Sequence, residues 1–163
     1  MNLFTLTIVA ALFLSATAHS QANVSKTKKQ NAMETKAIAQ DILKTLENGW
    51  NNANGTAFAQ SFADSSEFVD IRGSLHQNAT RQYLGEAHQG VFMSIYKDSK
   101  ISYSLVQAQM IDENTILANA KAALDAPAGP LAGKSASTIS MIIIKSGNDW
   151  KIRAFHNTLV VKQ

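Results

Sequence analysis

The C-terminal stretch Asp149–Val161 constrains the fold of this chain more than any other segment. Written as a strand, it places Trp150, Ile152, Ala154, His156, Thr158 and Val160 on one face, and Lys151, Arg153, Phe155, Asn157, Leu159 and Val161 on the other. Its first half alternates charged with apolar residues, as a half-exposed strand does. From Ala154 onward both faces are largely apolar, so the strand requires helices over one face and a second covering layer, such as another subunit, over the other. His156 and Asn157 interrupt that apolar surface. As neighbours they point to opposite sides, so one of them enters the interior, and periodicity alone leaves open which.

The rest of the chain supplies the helices and the remaining strands. Ile38, Ile42, Leu46 and Trp50 recur every four residues within Met33–Asn52, with Ala39 and Leu43 beside them, which predicts an amphipathic helix. Asn54-Gly55-Thr56 then turns the chain into a short second helix with Phe58 and Phe62 on its buried face. Ser66–Ile71 alternates as a short strand, turned by Arg72-Gly73 and paired up to about His76. A third helix is expected over Ala79–Tyr96, capped by Asn78 or Thr80, with Leu84, His88, Val91 or Phe92, and Ile95 along its buried row.

After Asp98 the period changes from 3.6 to 2. Ile101, Tyr103 and Leu105 share one parity and Val106, Ala108 and Met110 the other, which predicts a bulge or bend near Leu105. Asp112-Glu113-Asn114 turns into an alanine-rich strand over Thr115–Leu124. Both prolines fall in an expected loop, Asp125–Lys134, and an isoleucine-dense strand over Thr138–Lys145 turns at Ser146-Gly147-Asn148 into the terminal strand. This order is α+β: three helices packed on one face of a strongly curved antiparallel sheet. Helices that do not fill the concavity leave a conical cavity.

Residues 1–22 read as a signal sequence, with an apolar run over Leu3–Leu14 and an Ala16-Thr17-Ala18 cleavage pattern. Residues 23–33 then read as a polar basic linker and 34–163 as the domain, periplasmic or secreted, with no membrane association after cleavage. The chain has no cysteine, so stability after export has to come from the core and not from disulfides. The net charge of +3 does not indicate an acidic partner. Lys26, Lys28 and Lys29 of the linker account for the excess of 15 basic over 12 acidic residues, so the domain is balanced and carries no nucleic-acid footprint.

Trp50-Asn51-x-x-Asn54, Phe58, Phe62-Ala63-Asp64, Phe68-Val69-Asp70, the helix carrying His88, and the ending Trp150-Lys-Ile-Arg-Ala-Phe-His156-Asn157-Thr158 together resemble the SnoaL-like, SgcJ/EcaC-type branch of the nuclear transport factor two-like superfamily. The resemblance spans about residues 35 to 161. It implies a cone-shaped α+β fold, dimerisation through the sheet, and a pocket used for cyclisation, isomerisation, dehydration or simple ligand binding. Fold of this kind does not by itself specify a reaction.

Four polar groups are candidates to line the cavity: Asp70, His88, His156 and Asn157. An imidazole held near neutrality by an apolar pocket can take a proton from carbon next to a carbonyl, with a carboxylate orienting it, so His88 with Asp70 is the candidate catalytic pair. Asn157 could donate to a developing enolate oxygen. The competing structural readings are a core His88 bonded to a backbone carbonyl and an Asp70 that caps a turn with Arg72. Trp50, Phe62, Phe68, Phe92 and Tyr103 are the expected pocket wall, with His156 and Asn157 as further ligand contacts. His76, His88 and His156 lack metal-ligand spacing, so no metal centre is expected, nor any cofactor. Three functions remain open: an exported binder of a small apolar or aromatic molecule, an isomerase, cyclase or dehydratase, and a dimeric association module.

Overall fold

The computed structural model describes the backbone of residues 7–161 and the side chains of residues 28–161. It forms two compact units, Met1–Glu34 and Thr35–Gln163, and the architecture below is that of the second. The expected signal sequence lies outside the residues whose side chains are described. Among the described residues no helix is long and apolar enough to cross a membrane.

Helix α1 (Thr7–Asn51) ends where the periodicity places its end but begins well before Met33. No glycine or proline occurs before Gly49, so nothing in the expected linker interrupts a helical backbone. Side chains 28–34 are all exposed. From Thr35 the helix buries a stripe at Ala39, Ile42, Leu43 and Leu46.

Gly49 lets α2 (Gly55–Ala59) approach α1, since a Cβ there would collide with the Phe58 backbone. Gly55 plays the same part against α3 (Arg81–Phe92), where a Cβ would strike the Gly85 carbonyl. Asn54 Oδ1 accepts from Ala57 N at 2.9 Å and Thr80 Oγ1 from Tyr83 N at 3.1 Å, capping α2 and α3. Phe62, expected on the second helix, instead opens β1 (Phe62–Val69), although its ring centroid still lies 5.8 Å from that of Phe58.

With β2 (Leu75–Thr80), β3 (Lys100–Asp112), β4 (Thr115–Ala126), β5 (Gly133–Ser146) and β6 (Asp149–Leu159), β1 builds one six-stranded sheet in the order β2-β1-β6-β5-β4-β3. All neighbouring pairs are antiparallel except β1 with β6. The bulge expected near Leu105 is present: Leu105 pairs with Ala120 and Gln107 with Asn119, leaving Val106 extra.

A second bulge decides the interior. Ile143 pairs with Ile152 but Ile142 with Ala154, so Arg153 is extra and the parity of β6 reverses there. Residues paired across strands share a face. Ile152 beside Ile143 and Phe155 beside Met141 therefore both point inward, and all four are buried.

The core runs from the α1 stripe through Phe58, Phe62 and Leu84 to Ile116, Ile139, Met141, Ile143 and Ile152. Each large side chain buried there contributes about 1.5–3 kcal/mol relative to an exposed one. The free edge of β3 is closed by α1. Asn51 Nδ2 donates to Ile101 O at 2.9 Å, its Oδ1 accepts from Ile101 N at 2.8 Å, and Glu47 Oε2 accepts from Tyr103 N at 3.0 Å. These bonds occupy backbone groups that an edge strand otherwise presents for pairing.

Candidate functional site

The concave side of the sheet and the helices enclose a cavity of about 340 Å³. Helix α1 contributes Trp50, α2 Phe58, and α3 Ala87, His88 and Val91, while the β1–β2 turn contributes Asp70, Ile71 and Arg72. His76, Tyr103, Leu124, Ser135, Ser137, Phe155 and Asn157 line it from the strands, and Pro130 and Leu131 from the β4–β5 loop. The volume lies near the lower end of ligand pockets, roughly 300–1,000 Å³.

His88 sits in an aromatic box. Its ring stacks on Phe58 with centroids 4.0 Å apart and meets Phe68 edge-on at 5.5 Å, and it is 9% exposed. Nδ1 lies 2.7 Å from the Leu84 carbonyl, one turn earlier on α3. A carbonyl only accepts, so Nδ1 carries the proton and Nε2 the lone pair. Burial pushes the imidazole down from 6.5 to about 4, the Leu84 bond opposes this, and the charge of His76 adds to it. At neutral pH His88 is therefore an uncharged acceptor at Nε2, which has no hydrogen-bond partner among the described residues.

The expected His88–Asp70 pair does not form. Asp70 Oδ1 accepts from Arg72 N at 2.8 Å and Ser74 N at 3.0 Å, its Oδ2 meets Arg72 Nη2 at 3.5 Å, and the nearest histidine nitrogen is His76 Nε2 at 4.0 Å. Burial raises the Asp70 carboxyl, but the backbone donors of Ser74 and Arg72 outweigh it and leave the group below its ordinary value. Asp70 is thus a turn cap on the cavity rim, and His88 is satisfied by its own helix. His76 Nδ1 is 2.8 Å from the Tyr83 hydroxyl.

Trp50, Phe68 and Tyr103 line the cavity as expected. Trp50 presents only its ring, because Nε1 donates to Ser99 Oγ at 2.9 Å. Burial, with the Glu47 carboxylate adding, pushes the Tyr103 phenol above its usual range and keeps it neutral. Phe62 and Phe92 are corrections: neither lines the cavity. Phe62 is fully buried among Phe58, Phe68 and Phe155, and Phe92 packs edge-on against Trp50 at 5.0 Å.

His156 is a third correction. The Arg153 bulge turns it to the exposed outer face, in register with Ser140, and turns Asn157 inward beside Ile139. Asn157 Oδ1 and Ser135 Oγ are buried on the cavity wall without a hydrogen-bond partner among the described residues.

Sequence reading missed Ser135, Ser137 and His76. Ser135 and Ser137 share the parity of Ile139, Met141 and Ile143, so extending β5 backward would have placed both inside. His76 pairs with the inward-facing Phe68 across β1 and β2. No group of three or more His, Asp or Glu residues is placed to hold a metal ion among the described residues.

No family model matches the sequence, and no curated protein matches it. Solved structures do match. An NTF-2 like protein of unknown function from Shewanella oneidensis is 13% identical, with 76% of this chain and 98% of that one covered at a TM-score of 0.64. A putative scytalone dehydratase from Novosphingobium aromaticivorans is 9% identical over 82% and 89%, with a TM-score of 0.68. A type 2 hexachlorocyclohexane dehydrochlorinase is 9% identical over 82% and 90%, with a TM-score of 0.70. The chain therefore has the α+β fold of the nuclear transport factor two-like proteins.

Proposed function

We propose that this chain is an exported protein that binds a small, largely apolar, aromatic molecule in the cavity. One observation carries the reading: an aromatic and aliphatic wall around about 340 Å³ that also holds two buried polar atoms, Asn157 Oδ1 and Ser135 Oγ, without partners among the described residues. Leaving such an atom unmet costs about 1–3 kcal/mol, a cost that a ligand with matching groups removes. The similarity to proteins described as a dehydratase and a dehydrochlorinase supports a pocket in this position but assigns no reaction to this chain.

Acid–base turnover is the second reading, favoured by one observation: His76 lines the cavity with its Nδ1 held 2.8 Å from the Tyr83 hydroxyl and its Nε2 at ion-pair distance, 4.0 Å, from Asp70 Oδ2. His88 argues the other way, since a base at about 4 is a weak proton acceptor at neutral pH. Native mass spectrometry of freshly purified protein, followed by denaturing extraction, tests the binding reading through a stoichiometric organic adduct. A chain that emerges empty and shows no melting shift with any aromatic probe refutes it. Turnover of carbonyl compounds that His76→Gln abolishes would install the second reading in its place.

Dimerisation is proposed through the outer face of the sheet, where Ile142 and Ile144 remain half-exposed. Light scattering at micromolar concentration then gives twice the chain mass, and a monomer refutes it.

A further inference from the structure

One group on the cavity wall is fixed as a hydrogen-bond acceptor. His88 Nδ1 is committed to the Leu84 carbonyl at 2.7 Å, which fixes Nε2 as a lone pair with no partner among the described residues. Asn157 Oδ1, on the opposite wall, is a buried acceptor without a partner among the described residues, and the same carboxamide carries an Nδ2 donor. The hydroxyls of Ser135 and Tyr103 rotate and serve as donor or acceptor, so they adapt to either kind of ligand. The guanidinium among the lining residues, Arg72, is on the rim: its side chain is 74% exposed and it already faces Asp70 at 3.5 Å. The two other lining groups able to carry positive charge, Arg72 and His76, both stand beside Asp70, and His88 is held uncharged by burial.

We infer that the cavity selects aromatic molecules bearing hydrogen-bond donors, phenols and related hydroxylated rings, over ethers, ketones and carboxylates of the same shape. A phenolic O–H directed at His88 Nε2 completes an interaction that an ether or ketone oxygen leaves unmade. A carboxylate is disfavoured more strongly, since it brings a desolvated charge and further lone pairs against the fixed acceptor of His88. Discrimination is of the kind that arises when a site's own buried polar groups are left unpaired by the wrong ligand. This inference rests on the binding reading above.

The test uses three matched probes on the full chain at pH 7: 2-naphthol, 2-methoxynaphthalene and 2-naphthoate, titrated by protein-observed NMR. The expected order is naphthol tightest, the methyl ether about three- to tenfold weaker, and the naphthoate weakest. His88→Phe keeps an aromatic ring against Phe58 and removes the acceptor, and it should bring the naphthol and its ether close to equal affinity. Equal binding of all three by the wild type leaves the binding reading standing and overturns donor selection. A naphthoate that binds best, or a naphthol preference undiminished in His88→Phe, overturns it too. If none of the probes binds, both readings fall together.

Discussion

Acidification should unfold this protein earlier than its carboxylates alone dictate, because of His88. In the folded chain the imidazole titrates at about 4, against an ordinary value of 6.5. Between those values the unfolded chain binds a proton that the folded chain does not, so stability falls as pH falls. The loss begins near pH 6.5 and levels off below about 4, where the folded form takes up the proton as well. At about 1.36 kcal/mol per pH unit the whole window is worth about 3 kcal/mol, most of it gone by pH 4.5. Asp70, held below its ordinary value, acts in the same direction but at lower pH. His88→Gln isolates the histidine: its carboxamide can still donate to the Leu84 carbonyl, yet it does not titrate. Urea denaturation of both proteins, free of ligand, at pH 7, 5.5 and 4.5 should show the wild type losing about 2–3 kcal/mol more than the variant across the range. Parallel profiles would refute the argument, since they would mean that the ring reaches solvent and is not desolvated as its 9% exposure implies.

Three further outcomes follow from the packing and the polar groups. Gly49→Ala, which in an open helix gains up to about 1 kcal/mol, should instead lose about 1–3 kcal/mol in denaturant melts, because the new methyl meets the Phe58 backbone. Asn51→Ala should speed hydrogen exchange at the Ile101 amide and lower stability by about 1–2 kcal/mol, since both Asn51 bonds to Ile101 are lost while the Glu47 bond to Tyr103 N remains, and an unchanged exchange rate would contradict that role. Asn157→Leu should raise the melting stability of the empty protein by about 1 kcal/mol while weakening binding of hydroxylated ligands; a variant that loses stability would show that the carboxamide is already satisfied.

The helices and long strands were legible because their signals are local. Ile38, Ile42, Leu46 and Trp50 carry a helical period, and Ile139, Met141 and Ile143 a strand period, whatever surrounds them. The bulge at Val106 was legible for the same reason: the apolar parity changes on either side of it. Phe62 was misplaced because four-residue spacing from Phe58 fits a helix face, and only the end of α2 at Ala59 shows that the second ring arrives from a strand. The His88–Asp70 pair failed for a different reason. Each group found a nearer partner on its own element, Leu84 O for the imidazole and the Arg72 and Ser74 amides for the carboxylate, and short loops close such bonds more readily than a helix-to-turn contact.

The Arg153 bulge was not legible, and it decides the chemistry of the site. Alternation through Trp150, Ile152, Ala154 and His156 continues unbroken in the sequence, so a regular strand would carry an imidazole inward beside Ile139 and leave Asn157 outside. The extra residue exists only as a register between β5 and β6, where Ile142 and Ile143 meet Ala154 and Ile152. Its effect is to exchange a titratable side chain for a neutral carboxamide on the wall opposite His88. With His156 directed outward and His88 held uncharged by burial, the wall pairs one fixed acceptor, His88 Nε2, with a carboxamide that both accepts and donates. Such a pocket would meet a neutral hydroxylated ring on both counts, its O–H at His88 Nε2 and its oxygen lone pair at the Asn157 carboxamide or a serine hydroxyl.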